Sequence, residues 1–88
     1  MTYGVYVIRD DLTGYLMPSF DCNDPSAVRN FSAAVNAQRA GNLLHTNPAD
    51  YTLYKIGVYD TAIGALAPIE HVQLATGQSV LIKEDDNV

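Results

Sequence analysis

Apolar positions along the chain follow two different periods. Residues 3 to 9, Tyr-Gly-Val-Tyr-Val-Ile-Arg, are β-branched and aromatic and predict a strand. Residues 51 to 59, Tyr-Thr-Leu-Tyr-Lys-Ile-Gly-Val-Tyr, predict a second long strand. Between them, Asp24 to Gly41 has a helical period. Val28, Phe31 and Val35, with Ala27, Ala34 and Ala37 or Ala40 beside them, form one apolar stripe, while Arg29, Asn30, Asn36 and Gln38 face water. Asp24 caps the first turn, and Pro25 follows with a preset φ and no N–H to leave unpaired. Arg39 suits the negative end of the helix dipole, and Gly41 ends the helix. The expectation is a single helix of about four turns laid on a sheet.

Each long strand is followed by turn chemistry. Asp10-Asp11-Leu12-Thr13-Gly14 leads into a short return strand at Tyr15 to Met17, halted by Pro18. Asp60-Thr61-Ala62-Ile63-Gly64 precedes Ala65-Leu66-Ala67-Pro68 in the same way. Tyr3, Tyr6 and Ile8 match Tyr51, Tyr54 and Ile56 at an offset of 48, and Gly14, Leu16 and Pro18 match Gly64, Leu66 and Pro68 at an offset of 50. A bulge at Gly57 or a longer loop absorbs the difference. Leu43 and Leu44 pin the crossing from helix to second hairpin. Ile69 to Ala75 continues the sheet, Thr76-Gly77-Gln78 is a turn, and Ser79 to Lys83 is a last strand. The fold class is therefore α+β: one antiparallel sheet, one helix on one face, in the order hairpin, helix, hairpin.

The two-residue alternation assigns faces. Tyr6 and Ile8, with Tyr54, Ile56 and Val58, are expected under the helix. The opposite face is then expected to carry Tyr3, Val5, Val7 and Arg9, with Tyr51, Leu53, Lys55 and, absent a bulge, Tyr59. That is a large apolar and aromatic surface, of the kind that usually meets a partner.

The chain has 88 residues, room for one domain over residues 1 to 83 followed by an acidic tail at 84 to 88 that is expected to be disordered. A domain this small gains from pairing with a copy of itself, so a homodimer is expected. Net charge is −5, which removes global attraction to nucleic acid or anionic membrane but leaves room for a local basic face. No apolar run reaches spanning length and no leader precedes the first strand, so the expected location is cytoplasmic, with no membrane partner. A lone Cys22, between Asp21 and Asn23, is read as a small buried residue rather than a nucleophile. His45 and His71 share no ligand spacing with it, so no metal and no cofactor are expected. Paired acids such as Asp10 and Asp11 are turn residues. No catalytic constellation stands out, and the chain is not expected to be an enzyme.

Tyrosines beside cations supply the parts of a single-strand platform, in which bases stack on rings and Lys or Arg holds phosphates. Tyr3, Tyr51 and Tyr59 are the candidate rings, and Arg9 and Lys55 the candidate cations. Arg29, on the wet side of the helix, either contacts a phosphate or pairs with Asp24 or Asp21.

Several separated blocks carry a resemblance. Tyr6-Val7-Ile8-Arg9-Asp10 with Thr13-Gly14, then Asn23 to Phe31, then Asn47 to Gly57, and Tyr59-Asp60 before Gly64 together resemble the small nonstructural protein of gokushovirus-type microviruses, over about residues 3 to 68. These are single-stranded DNA bacteriophages. The resemblance implies a DNA-binding protein of viral genome replication or packaging, acting in the host bacterial cytoplasm, and offers no catalytic residue. The rival expectation is an interaction module that engages the phage replication-initiation protein or a host replication factor through the open sheet face.

Overall fold

The structure, a computed structural model, describes residues 1–82. The proposed acidic tail at 84–88 and Lys83 lie outside the described residues. Strands β1 (Thr2–Asp10), β2 (Gly14–Tyr15), β3 (Ser19–Asp21), β4 (Tyr51–Asp60) and β5 (Ala65–Thr76) form one antiparallel sheet. Its order is β2-β1-β4-β5, with β3 on the same edge of β1 as β2. The α+β architecture and hairpin-helix-hairpin order of the sequence reading describe it.

Helix α1 (Asp24–Asn36) packs on one face. Its cap is Asn23 rather than Asp24: the Asn23 side chain accepts from the Ser26 N–H at 2.8 Å. Ala27, Phe31 and Val35 are the buried stripe, closed against Tyr6, Tyr51, Leu53 and Ala75. The helix stops well short of Gly41 because other side chains take its last carbonyls. Asn42 donates to Ala34 O at 2.9 Å and to Ala37 O at 2.7 Å, and His45 Nδ1 lies 3.0 Å from Val35 O. Gly41, at φ 80°, turns the chain back so that Asn42 can reach them. Arg39 consequently falls in the connection, not in the last turn.

The crossing to β4 runs through α2 (Leu43–Thr46) and a 3-10 turn, Pro48–Asp50. Leu44 packs against the core while Leu43 is exposed, so one leucine pins the crossing and not both. The return from β1 is also in two pieces. β2 pairs Arg9 with Tyr15, β3 pairs Val5 with Phe20, and the break between them, residues 16–18, includes Pro18, which has no N–H for the ladder.

After β5 the expected last strand is replaced by a single helical turn, α3 (Gly77–Val80). Thr76 and Ser79 form a reciprocal capping box, each side chain accepting from the other's N–H at 3.1 Å. Asn36 then ties the segment to α1: its amide donates to Val80 O at 3.0 Å and accepts from Ile82 N at 2.7 Å. Asn36 thus faces the C-terminal segment rather than water.

Candidate nucleic-acid interface

One extra residue decides the face of every side chain in the first half of β4. Val5 pairs with Gly57 and Tyr6 with Lys55, leaving Ile56 as a bulge. A single inserted residue reverses the alternation on one side of it. Tyr51, Leu53 and Lys55 therefore share the helix face with Tyr6, while Tyr54 pairs with Val7 on the outer face. Beyond the bulge Val58 is on the helix face and Tyr59, opposite Tyr3, on the outer one.

This corrects two of the six sequence-derived site residues. Tyr51 is 4% exposed and belongs to the core beneath α1. Lys55 reaches the helix instead of the outer face: its Nζ lies 3.1 Å from Asp24 Oδ1. Tyr3, Arg9 and Tyr59 are on the outer face as expected. Arg29 is exposed on α1, on the side away from the buried stripe, and cannot join them. Neither carboxylate proposed as its partner takes it, since Asp24 holds Tyr6 and Lys55 and Asp21 holds Asn30.

The outer face carries rings that the sequence reading did not assign to it. Tyr15, Tyr54 and His71 form a triangle, with centroids 6.2 Å apart for Tyr15–Tyr54, 5.7 Å for Tyr15–His71 and 6.3 Å for Tyr54–His71. Phe20 meets Tyr59 edge to face at 5.8 Å. These contacts also define the sheet's shape. Tyr15 and His71 stand on opposite edge strands, which three strand spacings would hold about 14 Å apart in a flat sheet. Their contact shows that the sheet curls and makes the outer face concave. Val5 and Val7, 5% and 3% exposed, are buried in this hollow, separate from the core under the helix. Tyr15 and Phe20 remain more than half exposed.

Charge on this face is sparse. The Arg9 guanidinium sits 5.8 Å over the Tyr15 ring and 2.7 Å from the Asp11 carboxylate, which already neutralises it. Cys22, just before the helix cap, is exposed, against the buried position expected for it. Among the described residues no group of three or more His, Cys, Asp or Glu side chains is placed to hold a metal. Among them, too, no helix is long and apolar enough to cross a membrane.

Beneath the other face, Asp24 fastens the start of α1 to the sheet. Tyr6 Oη donates to Asp24 Oδ1 at 2.6 Å, beside the Lys55 ammonium. The phenol reaches this far by folding over Gly4, where a Cβ would collide with the ring. The Tyr6 hydrogen bond, then Lys55, holds the Asp24 carboxyl below its usual range. Burial, then the Asp24 hydrogen bond, pushes the Tyr6 phenol well up. Because the folded Asp24 pKa is depressed, its contribution is complete above the unfolded carboxyl value of about 4 and fades as pH falls through the folded one. For Tyr6 the folded pKa is raised, so its contribution is complete below about 10 and fades as pH rises beyond that. Urea unfolding across pH should therefore show an acid and an alkaline limb, with Asp24→Asn flattening the first and Tyr6→Phe the second. Limbs unchanged by both substitutions would remove this pair from the account of stability.

Residues 3–80 match the family model described as Phage ORF5 protein. No curated protein and no solved structure matches the chain.

Proposed function

The chain belongs to the Phage ORF5 protein family, and on that premise we propose that it is a non-catalytic protein that binds single-stranded DNA during phage genome replication or packaging. The virus would be a gokushovirus-type microvirus and the site of action the host bacterial cytoplasm. The observation that carries this reading is the concave outer face, where Tyr15, Phe20, Tyr54, Tyr59 and His71 present rings in two clusters. Unstacked bases have two π-faces that need cover, and a face of rings over an apolar floor supplies it without regard to sequence. A duplex keeps its bases stacked on one another and gains nothing from such a surface. Two copies joined at the rims of this face would lengthen the hollow, and a homodimer is part of the proposal.

Among the described residues, Arg9 is the only Lys or Arg that the strand pairing puts on this face, and Asp11 already holds it. Affinity should therefore come from stacking, with a shallow salt dependence of about one phosphate contact. Anisotropy titration of a labelled single-stranded oligonucleotide at low and near-physiological salt, with duplex as competitor, tests this. Saturable binding that duplex does not displace, and a slope that Arg9→Ala abolishes, are the expected results. No binding at low salt would remove the proposal.

The same neutrality supports a second reading, in which the face takes the phage replication-initiation protein or a host factor. The exposed apolar side chains of Leu66 and Phe20 fit a protein surface as well as a base. A complex with either protein that persists at high salt, together with no oligonucleotide binding, would establish that reading instead.

A further inference from the structure

The two ring clusters of the outer face are separated by a hollow walled by aliphatic side chains. Val5, Pro18, Ile56, Gly57, Leu66 and Pro68 line a pocket of about 300 Å³. The strand pairing places it. Val5 and Gly57 face each other at its floor, with Tyr54 opposite Val7 to one side along β4 and Tyr59 opposite Tyr3 to the other. Pro68 pairs with Gly57 from β5, and Leu66 with Tyr59, while Pro18 closes the pocket from the return path, next but one to Phe20. Glycine keeps the hollow open. A Cβ at Gly57 would stand 3.6 Å from the Val5 Cβ and 2.8 Å from Ala67 O, so a side chain there would fill the space or push β5 away. A DNA strand that stacks on both ring clusters must cross this pocket.

The lining selects among bases. A volume at the lower limit of small-molecule pockets takes one small ring. Among the described residues every side chain that lines it is apolar, so none can pair with an amino, imino or carbonyl group. Burying an unpaired polar atom costs free energy, whereas burying a methyl group stabilises. Resting on the single-strand reading above, we propose that this pocket holds one thymine base, its C5-methyl group set down on Val5 between Leu66 and the two prolines and its Watson–Crick edge turned out to water. The purines present the N7 acceptor on the corresponding edge, and cytosine has a bare C5 beside its amino group. Thymine alone offers an apolar group there.

Binding of labelled ten-nucleotide oligo-dT and oligo-dU at pH 7.5 and low salt, measured on the intact protein, tests the assignment, because the two differ only in the methyl group. The wild-type protein should bind oligo-dT about fourfold more tightly, the transfer free energy of one buried methyl. Oligo-dC should bind no better than oligo-dU. In Leu66→Asn and in Pro68→Ser, which put a polar group on the wall, the ratio of dT to dU affinity should fall to about one. Both positions are exposed, so thermal unfolding should change little in either variant. Tyr15→Ala, outside the pocket, should weaken both oligonucleotides and keep the ratio. Equal affinity of the wild-type protein for oligo-dT and oligo-dU, or a preference that survives both wall substitutions, would overturn the thymine assignment while leaving single-strand binding in place. Failure to bind any of the three oligonucleotides would overturn the single-strand reading itself.

Discussion

Replacing Phe31 with Ala should lower the free energy of unfolding by about 3–5 kcal/mol, the usual cost of removing a buried phenyl ring. Phe31 is 3% exposed and sits at the middle of the α1 stripe, between Ala27 and Val35. Its neighbours Tyr6, Tyr51 and Leu53 project from strands fixed by the β1–β4 ladder, so they are poorly placed to collapse into the vacated space. A domain of this size has a total stability on the order of 5–10 kcal/mol, so a loss of this magnitude removes roughly half of it. Phe31→Leu keeps most of the volume and should cost clearly less. Urea denaturation followed by far-UV circular dichroism measures both variants. A Phe31→Ala loss below about 1 kcal/mol would mean that α1 is not the lid of the core.

The helix start was legible because its signals are local. Pro25, a polar cap and three apolar positions at helical spacing each act within a turn of one another. Its end was not, because the groups that stop it come from elsewhere in the chain: Asn42 and His45 reach back to carbonyls of Ala34, Val35 and Ala37. The same holds at the C-terminal segment. Thr76 and Ser79 read as turn and strand residues until the capping box between them is seen, and Asn36, far away in sequence, takes the backbone groups that a strand partner would have taken.

The two turns repeat faithfully. Asp10 accepts from Leu12 N and Asp60 from Ala62 N, both at 2.9 Å, and Gly14 and Gly64 both have positive φ. The strands before them do not repeat in the same sense. At an offset of 48, Tyr6 matches Tyr54, but the first is buried under α1 and the second lies on the outer face. Treating the match as structural equivalence therefore put Tyr54 inside and Tyr51 and Lys55 outside. A bulge at Ile56 is enough to reverse them, and alternation alone cannot place a bulge, because the inserted residue is defined by pairing with another strand. Tyr15 and Phe20 were missed for a related reason. The return path is split at Pro18, and only the pairing of each piece with β1 shows that both rings rise from the outer face.

Joint replacement of Tyr15 and Phe20 by Ala is expected to cut single-stranded DNA affinity about 30-fold or more, since each stacked base contributes roughly 1–3 kcal/mol. These are the two rings of the outer face that stand most clear of the protein, at 53% and 57% exposure. They rise beside Arg9 and Val5, four residues apart on β1, a separation of about 13 Å that a strand of several nucleotides can bridge. Because both side chains are largely solvated already, their removal should shift the thermal midpoint little. Tyr54 and Tyr59, packed beneath them, would confound the same experiment by exposing the Val5–Val7 floor. Each single variant should show part of the loss, and the two losses should add if the rings stack different bases. Wild-type affinity in the double variant, with duplex still failing to compete, would mean that the DNA lies elsewhere on the protein. A proportionate loss in binding without a loss in stability would leave the concave face as the surface on which the strand is held.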